Sequence, residues 1–170
     1  VIVVDDASTD TTGDEIRAVW NADVAAGLSR SLTSTGAKYA ATTSEKVTFW
    51  LDAWAEGWSS AQVQICSEVE LEGTRPPELL ARARSCLAER RDELEALLAV
   101  IAEDPTASLP RAVGAAAGLS PVGSCVDQSA LERRPAPPRD PERLVRIAEL
   151  RRELARVQAM LAAGRYVDGL

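Results

Sequence analysis

Residues 76–103 read PPELLARARSCLAERRDELEALLAVIAE, and this stretch decides the fold class. Leu79, Leu80, Ala83, Leu87, Leu94, Leu97, Leu98 and Ile101 recur at intervals of three and four, the spacing that lines one face of an α-helix. Pro77 suits a first helical turn, where its missing N–H costs nothing and its fixed φ is already helical. Within the run, AERRDELE supplies charges of alternating sign for a solvated face. The spacing therefore predicts a long helix from Glu78 to about Glu103.

Upstream, DEIRAVWNADVAAGLSRSL (14–32) places Ile16, Trp20, Val24, Leu28 and Leu32 four residues apart, which predicts one helix. Thr12 or Asp14 can cap its start and Gly36 can end it. In TSEKVTFWLDAWAEGWSSAQVQI (43–65), Val47, Trp50, Leu51, Trp54, Trp58, Ala61 and Ile65 form an apolar stripe, weakened locally by Gly57. EGTRPP (72–77) breaks the chain. Downstream, Pro105 and Pro110 bracket a short helix with Leu109, Val113 and Ala116 inward. GLSPVGSC is loop, VDQSALERR a turn or two of helix, and RPAPPRDP (134–141) an extended connector. Asp140-Pro141 pairs a cap with a first-turn proline. The last helix runs to about Ala163 with Leu144, Ile147, Leu154, Val157 and Leu161 on its apolar side, and Gly164 stops it. The expected class is all-α, behind one strand at residues 1–4, VIVV.

Apolar residues make up 46% of the 170, so the chain can build a core. Residues 1–74 carry 4 basic and 12 acidic side chains, residues 75–170 carry 15 and 14. So acidic a front half argues against nucleic acid or an anionic membrane as partner. Histidine is absent, which excludes a Ser-His-Asp triad and removes the commonest metal ligand. No apolar run is long enough to span a bilayer. The missing initial Met and the ending GRYVDGL are what a piece of a longer protein would have.

Cys66, Cys86 and Cys125 lack zinc-site spacing and allow at most one internal disulfide. Cys66 and Cys86 flank the EGTRPP turn, where antiparallel helices can bring them within bonding reach in an oxidising compartment. The alternative is two unpaired, half-buried thiols. Trp50, Trp54 and Trp58 can serve as a stacking platform, or as packing between helices.

VIVVDDASTDTT resembles the nucleotide-sugar strand of family 2 glycosyltransferases, where a hydrophobic strand ends in carboxylates that hold nucleotide and metal. That resemblance implies metal ligation by Asp5 and Asp6. VTFWLDAW (47–54) stands where the family has a second strand with paired carboxylates, of which only Asp52 is present.

From residue 16 onward the chain resembles another group. It is similar to the region between the membrane anchor and the tetratricopeptide repeats of myxobacterial-type serine/threonine protein kinases. The matching pieces are VW (19–20), STGAKYA (34–40), LDAWAEGW (51–58) and Cys66. They continue through SCLAERRDELEALLAVIAE (85–103), RAVGAAAGLSPVGSC (111–125), PPRDP (137–141) and ELRRELARVQAMLAAGRYVDGL (149–170). In place of the cysteine that relatives often carry before VW, this chain has DDASTDTTGDEI.

The kinship implies an uncertain N-terminal segment (1–13), a helical linker or sensor-like domain (14–135), and a connector with the first helix of a truncated repeat (136–170). Gly164 and Tyr166 would form the Gly-x-Tyr turn of that repeat. It also implies a helical array leading into a repeat solenoid, protein partners met through downstream repeats, no cofactor, and an extracytoplasmic position. Gly-rich loop, catalytic-loop Asp-Asn pair and DFG are all missing, so no phosphotransfer is expected of this chain. The expected function is a non-catalytic interaction and linker region. The rival is a fragment of a metal-dependent glycosyltransferase using Asp5 and Asp6.

Overall fold

The computed structural model describes residues 12–166, and no strand occurs among them. The expected strand at 1–4, with Asp5 and Asp6, lies outside the described residues. The elements are α1 (Thr12–Val19), α2 (Ala22–Thr33), α3 (Ala40–Cys66), α4 (Pro77–Glu103), α5 (Pro105–Ser108), α6 (Ala112–Ala117), α7 (Gln128–Arg133) and α8 (Pro141–Ala162). A π-helical turn (Ser67–Leu71) follows α3, and a 3₁₀ turn (Val122–Cys125) precedes α7.

The segment expected as one helix over 14–32 is two, α1 and α2. Asn21 breaks it: its side-chain oxygen accepts from the N–H of Asp23 and of Val24, both at 3.0 Å, and so caps a new helix. Ile16, Trp20, Leu28 and Leu32 are still buried, because the break redirects the chain without turning their face outward. Helix α2 ends before Gly36, whose φ of +73° is the left-handed conformation that glycine tolerates best. VTFWLDAW lies inside α3, so its likeness to a second glycosyltransferase strand does not extend to conformation.

Helices α3 and α4 form the centre. Trp58, Leu51, Leu87, Leu94, Leu97 and Ile101 are fully buried, and Trp58 reaches across to α4. The observed bounds of α4 match the expectation to within a residue, because Pro77 starts it and Asp104-Pro105 ends it. Asp104 at once caps α5 by accepting from Ala107 N at 2.9 Å.

The cysteine expectation needs correcting. Cys86 is bonded to Cys125, with Cα atoms 5.4 Å apart, and Cys66 is free. Cys86 and Cys125 are both fully buried, the former inside α4 and the latter on the 3₁₀ turn packed against it. Cys66 ends α3 at the π-helical turn and keeps a free, partly buried thiol.

Helix α8 packs along α4. Arg151 meets Ser85 and Glu89 near the middle of α4, and Arg165 meets Val100 and Glu103 near its end. The two helices therefore run in the same sense, with residues 104–140 as the crossover. One apolar cluster extends from Ile16 to Ala163.

Candidate interaction surface on the last helix

Helix α8 departs from its sequence reading in an informative way. The side expected to face inward faces largely out: Leu154 is 56% exposed, Leu161 47%, Leu144 43% and Val157 39%, with Ile147 half-buried. The side that meets α4 carries Ala155, Ala159 and Met160, followed by Ala163. Small residues let α8 approach α4 closely, and ion pairs then tie it down. Leu150, 47% exposed, belongs to the outward face and was missed, although the 147, 150, 154, 157, 161 spacing of alternating threes and fours is legible.

Ion pairs fix this orientation. Glu89 on α4 is paired with Arg134 of the connector and with Arg151 of α8, the latter at 2.7 Å. Further along, Arg156 donates to both oxygens of Glu103 at 2.7 and 3.0 Å, and Arg165 donates to one of them at 3.2 Å. The hydrogen bonds from Arg156, and then from Arg165, hold the Glu103 carboxyl below the usual carboxylate range. A lowered value stabilises the fold above the ordinary carboxylate pKa and is lost as pH falls through the lowered one. Glu103→Gln will therefore speed amide exchange at residues 159–166 at neutral pH. The wild type will reach the same local loosening only on acidification below the ordinary carboxylate range. Unchanged exchange in the variant would refute the clamp.

Beyond α8 the chain reverses. Arg165 N–H donates to Met160 O at 2.8 Å and Gly164 N–H to Leu161 O at 3.1 Å, the paired bonds of a Schellman cap, with Gly164 at φ +82°. The expected turn residue Tyr166 is half exposed, with the Arg111 guanidinium 5.9 Å from its ring centre.

The tryptophan stripe separates into three environments. Trp58 is fully buried and donates to Leu87 O at 2.9 Å. Trp54 is partly buried and donates to Ser120 O at 3.1 Å. Trp50 is 43% exposed, edge-on to Phe49 at 5.8 Å between ring centres. A three-ring platform does not exist: the buried line of α3 runs through Val47, Leu51, Ala55 and Trp58, and each step of four turns about 40° further round the helix, so Trp58 joins that line while Trp50 lies outside it. Asp52 accepts the Trp20 indole N–H at 2.7 Å, which engages the carboxylate. No cluster of three potential metal ligands occurs among the described residues, and none of their helices is long and apolar enough to cross a membrane.

No family model, curated protein or solved structure matches this chain.

Proposed function

We propose that this chain is a non-catalytic helical interaction and linker region of a serine/threonine protein kinase-like signalling protein, with α8 opening a run of tetratricopeptide repeats. The observation that carries this reading is the outward apolar face of α8. A helix with small residues on one side and large apolar residues on the other is built to lie between two layers, and among the described residues only one of them covers α8. The Schellman turn at Gly164 supports it, since a helical hairpin leaves its first helix through a turn of this kind. A position outside the reducing cytosol is part of the proposal, and the buried Cys86–Cys125 bond supports it.

Two measurements test it. The coding sequence on either side should specify kinase signatures upstream and helical repeats downstream; an unrelated enzyme there would overturn the parentage. Carbene footprinting should label Leu150, Leu154, Val157 and Leu161 strongly in the 170-residue chain. Labelling should fall several-fold once the natural downstream sequence is attached. Equal labelling in the two would overturn the role given to α8.

A further inference from the structure

Beneath α8, on the side away from its outward seam, a cleft opens between α4, α6 and α8. Its inner part has a volume of about 180 Å³ and is lined by Leu97, Ala115, Leu119, Ala155, Ala159 and Ala162. Small residues on α6 and α8, Ala115 against Ala155, Ala159 and Ala162, leave that space open. For scale, an engineered apolar cavity of about 150 Å³ holds a benzene molecule. The outer part, about 330 Å³, shares Glu93, Ala155 and Gln158 with the inner one and adds Glu89, Asp92, Arg151 and Leu154.

The charges of the outer part are unequally satisfied. Glu89 is held by Arg134 and Arg151, and Glu93 pairs with Arg90 while accepting from Ser120 N at 3.3 Å. Asp92 has neither an ion pair nor a hydrogen bond among the described residues. Partial burial pushes its carboxyl up, which Arg91, Arg152 and Arg151 only partly oppose and Glu89 reinforces. Because none of these guanidiniums makes a direct ion pair with it, the partly buried Asp92 carboxylate leaves its oxygens open to an arriving cation, which gains more there than on open surface.

We propose that this cleft binds an organic cation, an ammonium or guanidinium on a short apolar tail of about one ring. The tail would fill the alanine-lined end, and the head would meet Asp92 beside Glu93. The alanine-lined end lies on the α4 side of α8, while the wider part reaches Leu154 at the edge of its outward face.

The test is an ¹⁵N-resolved titration of the intact chain with three probes of one shape: 2-phenylethylammonium, 2-phenylethanol and phenylacetate. The ammonium should give saturable shifts at the amides of Glu93, Gly118, Ser120 and Gln158. The alcohol should bind about tenfold more weakly, the loss of one charge-assisted hydrogen bond, and the carboxylate should not bind. Asp92→Asn should weaken the ammonium about tenfold, leave the alcohol unchanged and leave the melting temperature no lower. Ala162→Phe, at an exposed cleft edge, should abolish binding of both.

Acetyl-Phe-Lys-amide separates the possible sources of the cation. Tighter binding than the free amine identifies a protein side chain, and exclusion identifies a small molecule. No saturable shift with any probe, equal affinity regardless of charge, or an Asp92→Asn variant that still prefers the ammonium tenfold would overturn the site.

Discussion

Breaking the Cys86–Cys125 bond will cost about 4 kcal/mol of stability. The bond closes a loop of sequence separation 39, between the roughly 15-residue and 100-residue loops for which chain entropy gives about 3 and 4.7 kcal/mol. A domain of ordinary stability has only about 5–15 kcal/mol in total, so the loss takes a large share of it. The loop contains the second half of α4 and all of α5 and α6, and it fixes the 3₁₀ turn against the centre of α4. Both cysteines are fully buried, so a reductant must wait for the chain to open; reduction should track unfolding and be slow in the absence of denaturant.

Urea titrations decide it. The Cys86→Ala/Cys125→Ala double variant should unfold at a much lower urea concentration than the oxidised protein, and the wild type unfolded and refolded in strong reductant should resemble it. Cys66→Ser, at a half-buried free thiol, should leave the midpoint nearly unchanged. Coincident midpoints for oxidised wild type and the double variant would show that the bond contributes nothing. Oxidised chain isolated from a reducing cytosol would remove its bearing on compartment.

The helical class was legible because local signals agreed. Pro77, Pro105 and Asp140-Pro141 mark helix ends through backbone chemistry that needs no tertiary information, and α4, α5 and α8 begin where those residues stand. Asn21 carried the same kind of signal, but an unbroken apolar period of four masked it.

Other features depended on contacts distant in the chain. Periodicity groups Leu144, Leu154, Val157 and Leu161 on one side of α8 but does not say whether that side meets the core. Alanines on the other face and the carboxylates of α4 decided that. Cysteine pairing failed for the same reason. Cys66 and Cys86 are neighbours across a turn, whereas Cys125 reaches Cys86 only once α5, α6 and the 3₁₀ turn have folded back. Asp92 could not be singled out at all, since in ERRDELE it is one carboxylate among several and only its burial beside α8 distinguishes it.

Trp58→Ala will destabilise the domain by about 3–5 kcal/mol, the range for emptying a large, fully buried aromatic site. The ring is fully buried between α3 and α4, and its indole N–H donates to Leu87 O at 2.9 Å. Trp58→Phe separates the two contributions. It keeps much of the apolar contact and removes the donor, and it leaves Leu87 O with its helical acceptor role, so the hydrogen-bond share should be only about 1 kcal/mol plus the unfilled volume. Trp54→Ala should fall between, because that ring is half-buried and tied to Ser120 O. Trp50→Ala should cost about 0.5–1 kcal/mol, because its ring contacts Phe49 at the surface and not the core. Denaturant midpoints for the four variants measure this order directly. If Trp50→Ala and Trp58→Ala proved equally damaging, the tryptophans would form one buried ladder after all, and α3 would have to be rotated about its axis relative to α4.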